Sequence, residues 1–215
     1  KNEETAQARK TMTETRKRQV ENRNLLSSFF VTLLIGIAFQ EMIDVVKDAI
    51  QNDGVSLDIL FLTLTFFFIS MRFFVGNQLH LLSDALVHYP GSVWFYDLMV
   101  IISQSVVLIF LGSLVSLEAN REASIRFVDF MVILYVIDVV WIITQWGLGK
   151  VLKSWKRASI PWAWAILNAV LVLCSVILSL IMRNLYTTTG LAWLLGLNLV
   201  AFVVDVVLVD YYDAL

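Results

Sequence analysis

Six apolar stretches dominate this chain, each close to the roughly 20 residues that cross about 30 Å of hydrocarbon. They run approximately Leu25–Val46, Leu57–Val75, Trp94–Leu117, Phe127–Trp146, Ile160–Met182 and Leu191–Val209. No proline interrupts the centre of any of them; Pro161 stands at the start of the fifth, where a first-turn proline removes no helical hydrogen bond. Backbone groups withdrawn from water must bond within their own segment, so stretches of this length and character predict helices. Shorter alternating segments, as a β-barrel needs, are not found. The expected fold is therefore all-α: a polytopic integral membrane protein with a bundle of six transmembrane helices. Composition agrees, with 59% hydrophobic and 16% charged residues, a mean hydropathy of +0.76, and far fewer charges than a water-soluble domain carries.

Orientation follows from the basic residues. Lys1, Arg9, Lys10, Arg16, Lys17, Arg18 and Arg23 precede the first span, and Lys150, Lys153, Lys156 and Arg157 lie between the fourth and fifth. An even number of crossings separates the two groups, so both are expected on the cytoplasmic side, with both termini, in a plasma (inner) membrane. The opposite loops hold only Lys47, Arg121, Arg126 and Arg183. Trp94, Trp146, Trp155, Trp162 and Trp164 are expected at the inner interface and Trp193 near the outer one.

Two pieces fall outside the spans. Residues 1–24 form a charged cytoplasmic juxtamembrane helix, with Glu14 and Arg18 at helical spacing, ahead of a transmembrane domain covering 25–215. This helix sets topology, and also suggests a docking stalk for a cytoplasmic partner or a contact with anionic lipid heads. Within 76–92, Leu79, Leu82 and Leu86 recur between Gly76 and the Pro90–Gly91 turn, predicting a short interfacial helix. Lys1 rather than methionine opens the sequence, as expected of part of a longer protein.

Polar residues within the spans carry the functional argument. Asp97/Gln104, Asp138/Gln145, Asn168/Ser175 and Asn198/Asp205 are each seven positions apart, almost two helical turns, so each pair stands on one helix face. Four such stripes predict a shared polar interior. Asp58, Asp97 and Asp129 lie in early turns, where a carboxylate complements the positive helix end. Asp138 and Asp205 have no such help, and a charge at a helix centre costs about 2.5–3.5 kcal/mol even on lenient insertion scales. Arg72 is the one base within an apolar run, at a depth suited to either Asp97 or Asp205. It cannot neutralise Asp138 and Asp205 together, so one acid is expected to be protonated, hydrated or bound to a cation. The alternative is that these side chains only stitch helices together. Gln40, Glu41 and Asp44, at the outer end of the first span, suggest an acidic outer mouth.

Other chemistry is thinly supported. His80, Asp84 and His88 recur every four residues, weak candidates for a metal site on one helix. Phosphate-loop, zinc-protease and nucleophile-elbow motifs are missing, as is a regular cationic ladder in the fourth span. No cofactor is expected. Cys174 is the only cysteine, which excludes an intrachain disulfide within this sequence, and a net charge of −2 gives no basis for binding nucleic acid. The run from Phe95 to Ile101 faintly echoes Phe127 to Ile133, as an inverted duplication would. The leading expectation is a channel or transporter moving a small cation or proton, as a homo-oligomer in the lipid bilayer. A membrane anchor or sensor that docks a cytoplasmic partner and an interfacial membrane enzyme are the alternatives.

Overall fold

A computed structural model describes residues 2–52, 54, 56–82, 91–115, 121–151, 162–184 and 187–212. Helices α1 (Asn2–Asn52), α2 (Leu57–Leu82), α3 (Gly91–Leu114), α4 (Arg121–Val151), α5 (Trp162–Asn184) and α6 (Thr187–Tyr212) account for nearly all of them, with no strand among the described residues. All six are long and apolar enough to cross a membrane, which fits a multi-pass membrane protein. Each expected span coincides with one helix, except that Val115 of the third is a turn and 116–117 of the third and 160–161 of the fifth are outside the described residues. The apolar part of α1 is preceded by its charged part in a single unbroken helix. Of the segment 76–92 expected to lie in the interface, Gly76–Leu82 instead continue α2 to its end, 83–90 are outside the described residues, and 91–92 begin α3.

The helices do not pack in chain order. α1 lies between α2 and α3, α4 joins α3 to α5, and α6 closes the circuit between α5 and α2. Contacts of α2 with α3 and of α4 with α6 cross the middle. Exposed Leu25, Phe29, Leu33 and Ile37 on α1, with Leu173, Ile177 and Leu180 on α5, form the apolar outside of this ring. Its inside changes along its length. In one half Ala38 and Met42 of α1, Leu62 and Phe66 of α2, Leu108 and Leu111 of α3, Phe127 and Met131 of α4, and Leu191 and Leu194 of α6 are all buried. Buried Arg72, Asn77, Asp97, Gln104, Asp138 and Asn168 lie toward the other half, whereas the buried polar residues of the first half are the small Thr65, Ser124 and Ser179.

Close packing between helices explains two of the glycines. A Cβ on Gly112 would collide with the carbonyl oxygen of Ala38, so α1 and α3 touch main chain to main chain. A Cβ on Gly76 would strike the Trp164 ring, so α2 makes room there for an aromatic from α5. Small residues allow such contact where lipid-like surfaces give little hydrophobic drive for helix association.

Candidate functional site

The polar half of the bundle is organised around two carboxylates and one guanidinium. Arg72, in the second half of α2, has a fully buried side chain. Its Nε donates to Asp205 Oδ2 of α6 at 2.5 Å, while Nη2 donates to Asn168 Oδ1 of α5 at 3.0 Å. Asn168 Nδ2 in turn donates to Asp138 Oδ2 of α4. The second oxygen of Asp138 accepts from Gln104 Nε2 of α3 at 2.9 Å, and Gln104 Oε1 accepts from Asn77 Nδ2 of α2 at 3.1 Å. One hydrogen-bonded chain thus runs Asp205–Arg72–Asn168–Asp138–Gln104–Asn77 and ties together five of the six helices.

Asp138 and Asp205 are held differently. Asp138 is fully buried, and both its oxygens accept from neutral amides. Such an acceptor-only arrangement fits a carboxylate. Asp205 contacts the guanidinium directly and keeps 17% of its side chain exposed, so it marks the open edge of the chain. Arg72 also lies over the Tyr135 ring, 5.7 Å from its centroid, with Phe73 stacked beside that ring. The Tyr135 hydroxyl donates to Asn198 Oδ1, and Asn198 Nδ2 returns to the Leu194 carbonyl at 2.9 Å. Of the two partners sequence position allows Arg72, it takes Asp205.

Asp97 belongs to a second cluster. Its Oδ1 accepts from Trp141 Nε1 at 2.9 Å and from Gln145 Nε2, and its Oδ2 lies 3.2 Å from His80 Nε2. The His80 ring stands edge-on to Trp141, with centroids 4.9 Å apart. Asp97 is buried and His80 is part-exposed, so the imidazole forms the outer boundary of the cluster.

The remaining candidates lie as follows. Ser175 is buried on the face of α5 that holds Asn168. Gln40, Glu41 and Asp44 are exposed on α1, with Gln40 Nε2 donating to both oxygens of Asp44 at 2.9 Å, while the intervening Met42 faces the core. Asp84 and His88 are outside the described residues, as are Lys153, Trp155, Lys156 and Arg157; of the weak metal candidates only His80 is described. Among the described residues there is no group of three or more His, Cys, Asp or Glu suited to a metal ion.

Several participants escape the sequence reading. Asn77 had a signal: with Ser70 it forms a fifth pair at the seven-residue spacing, both members buried. Tyr135 and Trp141 had none, because a hydroxyl or indole N–H on an aromatic body reads as apolar filling. Asp129, expected merely to favour its helix end, accepts from Ser179 at 3.0 Å and from Arg183 at 2.9 Å across α4 and α5. Compared with known protein families, curated proteins and solved structures, the chain matches none.

Proposed function

We propose that this chain is a membrane channel or transporter that moves a small cation or proton through the acid-lined interior of its bundle. One observation carries the reading: a single guanidinium stands in one chain of hydrogen bonds with two carboxylates, bonded directly to Asp205 and linked to Asp138 through Asn168. With both acids ionised, that chain holds one more negative charge than positive. An uncompensated charge away from water is expensive, and its neutralisation by a proton or cation is the natural working cycle of such a site. Arg72 is the resident counter-charge, Asp138 takes up the mobile one, and the part-exposed Asp205 stands at the entrance. Gln104, Asn168, Asn198 and Ser175 line the route. The apolar half of the bundle closes the opposite side, which favours alternating access over a permanently open pore.

The chain's six crossings of a plasma (inner) membrane leave both ends in the cytoplasm, and copies associate as a homo-oligomer. Flux measured in proteoliposomes tests the mechanism. Asp138→Asn and Asp205→Asn are expected to change flux of protons or alkali cations while the protein still inserts and folds. Unchanged flux in both variants would remove these acids from the mechanism.

A second reading, a docking subunit without transport, draws on the continuity of α1. Residues 2–24 extend the first span as one helix, a projection of roughly 34 Å at 1.5 Å per residue. Removing them abolishes partner capture under that reading and leaves flux intact under the first.

A further inference from the structure

Away from the central chain, the start of the apolar part of α1 holds a cation that pairs with no anion among the described residues. Arg23 stands where α1 changes character: Arg16, Lys17 and Arg18 precede it, and Leu25 and Leu26 follow. Its guanidinium lies over the Trp94 ring in the first turn of α3, with Cζ 4.5 Å from the ring centroid. Nε and Nη2, which together form one bidentate edge of the group, are both buried and have no hydrogen-bond partner among the described residues. Arg23 takes part in none of the ion pairs among the described residues. Among the described residues, buried Trp94 Nε1 finds no acceptor and buried Asn24 Oδ1 no donor. Neighbouring polar groups are engaged elsewhere: Ser27 bonds the Arg23 carbonyl at 2.9 Å, and Gln78 bonds Ser28 and Thr32.

A guanidinium edge removed from water and left unmatched is costly, and such a group calls for an unseen partner. The fork matches two oxygens of a phosphate, and the stacked indole holds it in plane. The polar-to-apolar step in α1 and the tryptophan beside it mark the depth at which lipid phosphates lie. We propose that Arg23 and Trp94 bind the phosphate of one anionic phospholipid between α1 and α3, with Asn24 Oδ1 accepting from a headgroup hydroxyl. This inference rests on the proposed membrane placement and is independent of transport. A headgroup reaches the buried fork by displacing the side chains over it. Its retention therefore responds weakly to salt, unlike lipid gathered by the exposed Arg18.

The test uses the full chain in vesicles of phosphatidylcholine with phosphatidylglycerol, followed by native mass spectrometry of the extracted protein. One retained phosphatidylglycerol is expected, surviving a high-salt wash. Arg23→Gln should weaken its retention about tenfold, the scale of a lost charge-assisted bond. Trp94→Phe, which keeps the stacking ring and removes the N–H, should weaken it less, and Arg18→Gln should leave it unchanged. Phosphatidylglycerol should also raise the melting temperature of the wild type and not of Arg23→Gln, which controls for misfolding. Equal losses in Arg18→Gln and Arg23→Gln, equal retention of phosphatidylcholine, or displacement by inorganic phosphate in detergent would overturn the assignment. Flotation with pure phosphatidylcholine vesicles tests the membrane placement separately: failure to float defeats that placement, whereas flotation without a retained anionic lipid defeats the site alone.

Discussion

Arg72 is the residue on which the polar half of the bundle turns. It meets Asp205 and Asn168 through separate nitrogens and Tyr135 through its face. Removing one member of a buried pair leaves the other charge uncompensated, at about 3–5 kcal/mol. Arg72→Met should therefore destabilise the protein by that order, read from unfolding in mixed micelles. Arg72→Met combined with Asp205→Leu should recover part of the loss, because the carboxylate in direct contact with the guanidinium is then gone while Asp138 keeps its two amide donors. A double variant as unstable as the single one would mean that the guanidinium acts mainly through Asn168 and Tyr135. Asn168 faces a different demand: its amide accepts from Arg72 with oxygen and donates to Asp138 with nitrogen. Asp in its place offers no donor to Asp138 and adds a like charge beside it, so Asn168→Asp should be more damaging than Asn168→Ser.

At the scale of whole helices, glycines report how tightly pairs meet. The obstacle to a Cβ at Gly112 is the Ala38 carbonyl, part of a backbone that cannot step aside without moving α1. The obstacle at Gly190 is Met182 Cγ, on a buried side chain that yields by changing its rotamer. Gly112→Ala should thus cost about 1–3 kcal/mol, the range for overpacking, and Gly190→Ala less, since a rotamer change rather than a helix shift relieves it. Thermal unfolding of the two variants compares them; equal costs would show that α1 and α3 slide apart freely. The seven-residue pairs were legible at this scale because spacing on one helix fixes which residues share a face. The His80–Asp97–Trp141–Gln145 cluster was not, since it draws on three helices whose relative rotation no spacing records.

For the molecule as a whole, the division into a polar and an apolar half predicts one-sided access. In a Cys174→Ser background, a membrane-impermeant thiol reagent should label Asp205→Cys from one side of a sealed vesicle. Leu108→Cys, in the buried apolar half, should resist it from both. Labelling of Leu108→Cys would reveal a second conformation open through the apolar layers. Hydropathy and periodicity suffice for six helices and for the inward direction of their amides and acids, because each helix must satisfy its own backbone and turn its polar stripe from apolar surroundings. Assembly settles the rest: α1 sits between α2 and α3, Arg72 takes Asp205 over Asp97, and Asp138 is left to two amides. Depth along a helix follows from counting residues, whereas the partner across the bundle depends on how each helix is turned about its axis. That rotation comes from the packing of all six together.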